Sequence, residues 1–315
     1  MEKQAARHRP IQCKTALHSV RGGFPYKSDL NIYRGCENGC KYCFAIYSHK
    51  YMNKNEDDVP AGPSDGYYDL IYAKTNVAEQ LDKELGRFGR KKTVINIGGV
   101  CDSYQRAEEE FELMPDVLRV MLKHKNPIII STKTDLILRD FDLIDELSKY
   151  VFVNIASTIT TADENLRVKI EPGAVSAKRR FDMLEKFKKT DATIGVHTMP
   201  VLPFLTDSPE NLEAIFSKTK EIGAVYIIVQ TLYLRSQTRK TYFEFIQTEF
   251  PGLFEDMSRL YKTGHLDKEY KKKFYAVLNP LLKKYELSTD YTASVREADA
   301  FEVGKEIKQK TLFDF

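Results

Sequence analysis

Cysteine is scarce in this chain, with five in 315 residues. An odd count, and an N-terminal stretch (MEKQAARHRPIQCK) without the apolar core of a secretory signal, argue against a disulfide scaffold. Long hydrophobic runs are missing too. None approaches the roughly 20 residues that span a bilayer, so no membrane segment is expected. Charge of one sign is also lacking: 48 Lys+Arg stand against 45 Asp+Glu, a net of +3. That balance does not imply nucleic acid, for which a local basic patch would be needed. Internal repeats and low-complexity tracts are absent. What remains is 42% hydrophobic and 30% charged, the profile of a globular protein with an ample core. A cytoplasmic location, where thiols stay reduced, is expected.

The few cysteines are not spread evenly. Cys36, Cys40 and Cys43 fall within eight residues, spaced C-x3-C-x2-C, between Gly35 and Phe44. Thiolates are soft ligands suited to iron–sulfur chemistry, and this spacing wraps three corners of a cubane cluster. Gly35 and Gly39 let the backbone bend around it. A fully protein-ligated [4Fe–4S] cluster takes four cysteines, so three leave one iron open. A zinc knuckle would bring a second Cys/His pair at matching spacing, and none stands here. Cys13 is expected to be an inert, buried thiol.

Along the chain, residues 1–27 read as a basic arm packed across the main domain. Asp29–Tyr33 reads as a strand that delivers the cysteine loop. The polar, turn-rich stretch 47–69 is a candidate lid or substrate element. Helices are expected around Val77, Leu81, Leu85 and Phe88 (capped by Thr75 or Asn76), Leu113–Lys123, Phe141–Leu147, Ser176–Phe187, and Leu212 to Ile222. Between them lie apolar strands at Val94–Ile97, Pro127–Ser131, Val151–Ile155, Thr193–His197 and Val225–Val229. Six strands alternating with helices argue a parallel sheet covered on one side by helices. Six such units fall short of a closed eight-fold barrel. Residues 236–300 read as a helical extension and 301–315 as a mobile tail, leaving 28–235 for the sheet.

In parallel architectures the chemistry gathers at the C-terminal ends of the strands. Here those ends carry the cysteine loop, Gly98-Gly99-Val100-Cys101-Asp102-Ser103, Ser131-Thr132-Lys133, Ala156-Ser157-Thr158, His197-Thr198-Met199-Pro200, and Gln230-Thr231. The cysteine spacing, with Tyr42 before the last cysteine, resembles the radical SAM superfamily. Over most of residues 28–205 the sequence is similar to its spore photoproduct lyase family. The shared marks are Tyr42, the Lys133 segment, Glu171-Pro172-Gly173 with Arg180, and Gly195-Val-His-Thr-Met-Pro-Val-Leu-Pro203.

The resemblance implies a partial (β/α)6 barrel of TIM type with a mainly helical C-terminal extension. It implies that Cys36, Cys40 and Cys43 hold a [4Fe–4S] cluster whose open iron binds S-adenosylmethionine. Electrons would come from a reductant such as flavodoxin or ferredoxin. The cofactor would meet Tyr42, Gly98, Gly99, Ser103, Lys133, Ser157 or Thr158, with Glu171 and Arg180 either orienting it or forming a structural ion pair. The resemblance also implies a 5′-deoxyadenosyl radical that repairs a thymine photoproduct in DNA, with Cys101 returning a hydrogen atom to the product radical. The lyase family has a relay tyrosine after the third cluster cysteine. Here that position is Phe44, so Tyr104, Tyr47 or Tyr33 would have to substitute, or the cofactor is consumed, or the reaction differs.

Other residues carry plainer expectations. His197 reads as a satisfied core histidine. Arg235, Arg239 and Lys240, with Lys262 and Lys271–Lys273, form either a solvated helix face or contacts to nucleic-acid phosphates. Gln309, Leu312, Phe313 and Phe315 resemble the short peptide that docks on a DNA sliding clamp. Two alternatives stay open. One is a radical SAM enzyme that modifies RNA, a peptide or a small molecule. The other is a non-enzymatic, DNA-associated iron–sulfur protein.

Overall fold

The computed structural model describes residues 6–22, 24–51, 66–87, 92–293 and 295–296. The chain enters through β1 (Arg7–Ile11), β2 (Leu17–Ser19), β3 (Ser28–Leu30), β4 (Tyr33–Arg34) and β5 (Leu70–Lys74). Alternation follows: α1 (Val77–Leu85), β6 (Ile95–Ile97), α2 (Ala107–Phe111), α3 (Leu113–His124), β7 (Ile128–Thr132), α4 (Phe141–Ser148), β8 (Val153–Thr158), α5 (Glu164–Ile170), α6 (Ala177–Phe187), β9 (Thr193–Val201), α7 (Pro209–Glu221) and β10 (Tyr226–Thr231). Then come α8 (Ser236–Glu249), α9 (Phe254–Leu260) and α10 (Lys268–Lys284).

The main sheet runs β10-β9-β8-β7-β6-β3-β2. Six of its seven strands are parallel, and β2 closes the edge antiparallel to β3. This is the parallel sheet that the alternation predicts, in the partial TIM-type barrel that the resemblance implies. Side chains alternate along each strand. Ile95, Ile97, Ile128, Ile130, Val153, Ile155, Ile194 and Val196 enter one continuous core with Val117, Met121, Ile144, Leu184 and Phe216 from the helices. The intervening positions belong to the other face. There Ile129 packs with Val94 and Val295, with Tyr26 and Phe152 against them. Among the described residues no helix is long and apolar enough to cross a membrane.

Three expectations are corrected. The strand read over Asp29–Tyr33 is two strands in two sheets: β3 joins the main sheet, whereas β4 pairs with β5. Asn31 lies at the crossing, where its side-chain oxygen accepts from Val100 N–H at 2.9 Å and its carbonyl from the buried Lys74 ammonium. The N-terminal segment is woven in: β1 lies parallel to β5, and β2 edges the main sheet. Asn76 stands at the start of α1 but makes no side-chain cap. Its amide grips the arm instead, accepting from Cys13 N–H at 2.8 Å and donating to the Cys13 carbonyl at 3.0 Å. The stretch read as a candidate lid resumes at Gly66; residues 52–65 lie outside the described residues.

His197 has the plain role expected of it. The Tyr226 hydroxyl donates to Asn154 Oδ1 at 2.9 Å, so the ring nitrogen His197 Nε2, 3.1 Å away, donates to that hydroxyl. The Tyr226 ring packs on Gly195, where an added Cβ would come within 2.2 Å of it. Gly195→Ala is therefore expected to cost about 1–3 kcal/mol by overpacking, read as a lower denaturation midpoint. Burial, helped by the Lys133 ammonium, lowers His197 from 6.5 to about 4. The unfolded chain thus binds a proton below pH 6.5 that the fold refuses until about 4. Stability should fall by about 1.4 kcal/mol per pH unit across that window, roughly 3 kcal/mol in all. Denaturant midpoints measured from pH 7 to 4 should show this loss, and His197→Asn should reduce it.

Candidate active site

The loop from Gly35 to Cys43 follows β4 and is tied almost residue by residue. Cys36 N–H donates to the Tyr67 carbonyl at 3.0 Å, Lys41 N–H to Ile170 at 2.9 Å, and Gly173 N–H to the Asn38 carbonyl at 3.0 Å. Glu37 N–H donates to Gln105 Oε1 at 2.8 Å, and Gln105 Nε2 returns to the Gly35 carbonyl at 3.2 Å. The Glu37 carboxylate accepts from Ala107 N–H at 2.7 Å, at the start of α2. Thr238 of α8 donates to the Cys43 carbonyl at 3.0 Å.

Cys36 and Cys40 are buried and Cys43 is half-buried. Burial pushes all three thiols up, Cys36 further through the Asp102 carboxylate and its two neighbours, and Cys40 to about 12 against the pull of Lys133. Buried, mutually repelling thiols ionise only when a cation sits among them, which iron would supply. Among the described residues no three Cys, His, Asp or Glu side chains converge on a single-ion site. A cubane is gripped at separate corners, so its ligands need no common focus. This soft donor set on a fixed loop fits a [4Fe–4S] cluster.

One carboxylate joins this loop to the neighbouring strand ends. Asp102 Oδ2 accepts from Asn38 Nδ2 and from Lys133 N–H, each at 2.8 Å. Its Oδ1 accepts from the Thr132 hydroxyl at 2.8 Å and Tyr104 N–H at 3.0 Å. The turn after β6 is shaped by Gly98, whose φ of +87° favours glycine and whose Cβ would meet the Cys101 carbonyl at 2.9 Å. At Gly99 a Cβ would meet the Asp29 carboxylate at 2.5 Å. Ser103 Oγ and Thr198 Oγ1 are buried near these ends without a protein partner, an arrangement that suits a polar cofactor. Ser157 donates to the Thr132 carbonyl at 2.6 Å and so braces β7; Thr158 is buried beside it.

Lys133, Tyr42, Glu171 and Arg180 meet beneath this rim. Arg180 donates to the carbonyls of Val175 at 2.8 Å and Thr158 at 2.6 Å. Its third nitrogen lies 2.6 Å from Glu171 Oε2, with both side chains fully buried. The Tyr42 hydroxyl donates to Glu171 Oε1. Burial works to raise the Glu171 carboxyl, and the charges of Arg180 and Lys133 with the Tyr42 hydroxyl overcome it, leaving it below its ordinary range. Burial likewise works against the Lys133 ammonium, and Cys40 and Glu171 hold it above its usual value. Arg180 thus acts through Glu171 and the backbone.

Cys101 lies at the end of the second parallel strand with its sulfur 4.0 Å from Asn31 Oδ1. Burial pushes its thiol up to about 12 despite the Tyr33 backbone and Lys74, so it keeps its S–H at neutral pH. The aromatic candidates separate clearly. Tyr33 donates to Glu108 at 2.5 Å and Tyr104 to Asp140 at 3.1 Å, in a buried network closed by Arg139. Tyr47 and Phe44 are exposed, Phe44 by 61%. Sequence reasoning missed Tyr67, which is buried against the cysteines, as well as Asp102, Asn38 and Gln105. Asp102 was visible beside Cys101, but its four donors come from residues distant in sequence or from backbone.

Of the basic candidates, Arg235 and Lys240 are exposed. Arg239 is committed to the Tyr261 carbonyl at 2.7 Å and stacks 4.6 Å over Phe243. Gln309, Leu312, Phe313 and Phe315 lie outside the described residues. Because Asp102 satisfies four donors, Asp102→Ala should cost about 2–4 kcal/mol. It should also lower the iron retained after reconstitution; denaturant titration and iron assay check both, with Asp102→Asn the milder change.

The family model of the radical SAM superfamily matches residues 30–215. The uncharacterized protein Rv2578c of Mycobacterium tuberculosis is 31% identical over 293 residues, covering 92% of this chain and 84% of that protein. Among solved structures, a spore photoproduct lyase mutant with bound AdoMet and dinucleoside spore photoproduct superposes with a TM-score of 0.63 at 11% identity, over 88% of this chain and 78% of that one. Streptococcus suis SuiB bound to precursor peptide SuiA gives 0.51 at 14% identity, over 83% of this chain and 47% of that one. By its cysteine loop, its partial barrel and the extent of these matches, the chain belongs to the radical SAM superfamily, whose members use a [4Fe–4S] cluster and S-adenosylmethionine.

Proposed function

We propose that this radical SAM enzyme repairs a thymine photoproduct of the spore type in DNA. The observation that carries the reading is Cys101: a neutral, buried thiol at the end of the second strand, next to the residues that frame the cysteine loop. When bound, the cluster and S-adenosylmethionine supply a 5′-deoxyadenosyl radical. Cys36, Cys40 and Cys43 hold the cluster. Lys133, Gly98, Gly99, Ser103 and Thr158 line the cofactor's place, and Glu171, Arg180 and Tyr42 keep Lys133 and the loop in position. The 5′-deoxyadenosyl radical would take a hydrogen atom from the methylene-bridged dimer, the bridge would break, and Cys101 would give its S–H hydrogen to the resulting thymine radical, leaving a thiyl radical that is discharged by a hydrogen atom from 5′-deoxyadenosine or by the external reductant. A thiolate has no such hydrogen, so the raised thiol suits the role.

The approach of DNA is supported by the start of α8. Thr238 touches the cysteine loop, and Arg235 stands at the N-terminal cap of the same helix. Exposed Arg235 and Lys240 offer charge to phosphates, and exposed Phe44 and Tyr233 offer faces on which splayed bases stack. A base inside a duplex must be extruded, at a few kcal/mol. A second reading is favoured by Phe44, which has no O–H where the lyase family has a relay tyrosine: the same radical chemistry applied to another substrate.

An anaerobic assay separates them. Reconstituted, dithionite-reduced protein receives S-adenosylmethionine and a thymidine-based spore photoproduct dinucleotide. Wild type should yield intact thymine dinucleotide, and Cys101→Ala mostly by-products. 5′-Deoxyadenosine with untouched photoproduct would favour the second reading. No deoxyadenosine at all would sink the assignment of the three cysteines.

A further inference from the structure

The inner face of the sheet, turned away from the helices, leaves room beside the Cys101 turn. In the strand register Asp29 stands level with Asn96, Asn96 with Ile129, and Ile129 with Asn154. One step nearer the C-terminal ends, the same face carries Ser131, Ala156 and Gly195, level with one another. Barrels are filled by layers of inward side chains. A layer of Ser, Ala and Gly fills little. The Tyr226 ring covers Gly195, but Ser131 and the turn at 98–100 are only half-buried. Ser131 Oγ makes no hydrogen bond among the described residues.

Asp29 puts a half-buried carboxylate on that face. It lies against Gly99, where an added Cβ would come within 2.5 Å of Oδ2, so the close approach requires glycine. Its Oδ1 accepts from Asn96 Nδ2 at 2.8 Å. Among the described residues that is the carboxylate's one hydrogen bond, and Oδ2 is left unspent. Two residues on, Asn31 Oδ1 accepts from Val100 N–H at 2.9 Å and lies 4.0 Å from the Cys101 sulfur, so Asp29 and the thiol flank the same turn. A carboxylate oxygen partly withdrawn from water calls for a donor, and a bond to an ionised acceptor is roughly twice as strong as a neutral one.

We propose that Asp29 determines specificity: its Oδ2 accepts the N3–H of a thymine ring seated against Gly99, beside Cys101. The inference rests on the photoproduct-repair reading and names the atom that recognises the base. Enzymes that take up an extruded base read it through hydrogen bonds to its Watson–Crick edge. Thymine offers an N–H at N3. Cytosine offers a lone pair there, which a carboxylate repels, so Asp29 selects thymine by attraction and rejects cytosine by repulsion. A merely structural Asp29 would affect all ligands alike.

The test is equilibrium binding to the reconstituted, unreduced full chain with S-adenosylmethionine present, which reads recognition without turnover. The probes are the thymidine-based spore photoproduct dinucleotide and its two N3-methyl forms, one for each ring. In wild type, one N3-methyl form should bind about tenfold or more weakly, the loss of a charge-assisted hydrogen bond. Asp29→Ala should bind the unmodified dinucleotide more weakly by a like factor, and that same methyl group should then cost it less than about twofold. Asp29→Asn keeps the bond to Asn96 and the shape, and takes the place of the alanine variant if that one does not fold. Wild-type affinity for the unmodified dinucleotide in the variant overturns the inference. So does a methyl penalty as large in the variant as in wild type, or no penalty in wild type for either form; photoproduct repair stands in each case. A wild type that binds none of the three overturns the repair reading and the inference together.

Discussion

The site depends on one buried carboxylate more than on any other group. Asp102 takes two donors on each oxygen, and they come from the cysteine loop, the loop after β6 and the end of β7. Three segments separated by up to about a hundred residues in sequence are thereby held in one frame. An ionised acceptor makes such bonds about twice as strong as neutral ones. Removing it would strand four donors in a place closed to water. The parallel sheet sets the direction of each strand, and Asp102 sets how the strand ends stand relative to one another.

Around that frame the protein keeps charge balanced at close quarters. Glu171 sits between Arg180 and Lys133, and Tyr42 spends its hydroxyl on the same carboxylate. A buried ion pair is weak support for stability, since desolvation offsets much of its attraction. Its value here is positional. Arg180 donates to Thr158 and Val175 carbonyls and so fastens the Glu171 turn to the end of β8. That turn in turn grips the cysteine loop through Gly173 N–H and the Asn38 carbonyl. A loop preorganised in this way has less ordering left to do when a cluster is inserted.

Much of this architecture was legible in the sequence because it rests on local pattern. Ile95, Ile97, Ile128 and Ile130 announce buried parallel strands, and Val77, Leu81 and Leu85 an amphipathic helix, through spacing alone. The three cysteines were legible by chemistry. What escaped depends on distant partners. β1 and β4 are short and only partly apolar, and they become strands because β5 lies between them. Asn76 has the look of a cap, yet its amide is more useful holding Cys13. Asp102 and Tyr67 gain their meaning from groups that only the folded chain brings near. Local propensity carries no information about such pairings.

The same distinction bears on the missing relay hydroxyl. Tyr33 and Tyr104 stand close to Cys101 in sequence or in space, and either was a reasonable substitute for Phe44. Their protons, however, are bound to Glu108 and Asp140, and Arg139 closes that network. Glu108 also accepts from Leu113 and Met114 N–H at the start of α3. To release either phenol the network would have to give up a hydrogen bond to a buried carboxylate, a charge-assisted bond worth about 1.5–3 kcal/mol. Tyr67 faces the opposite situation. Its hydroxyl donates to the backbone carbonyl of Val100, beside Cys101. A phenol held only by neutral or exchangeable acceptors can shift its proton where a carboxylate-bound one cannot. Tyr67, in the turn before β5, thus keeps a hydroxyl beside Val100 and the cysteine loop that no carboxylate holds.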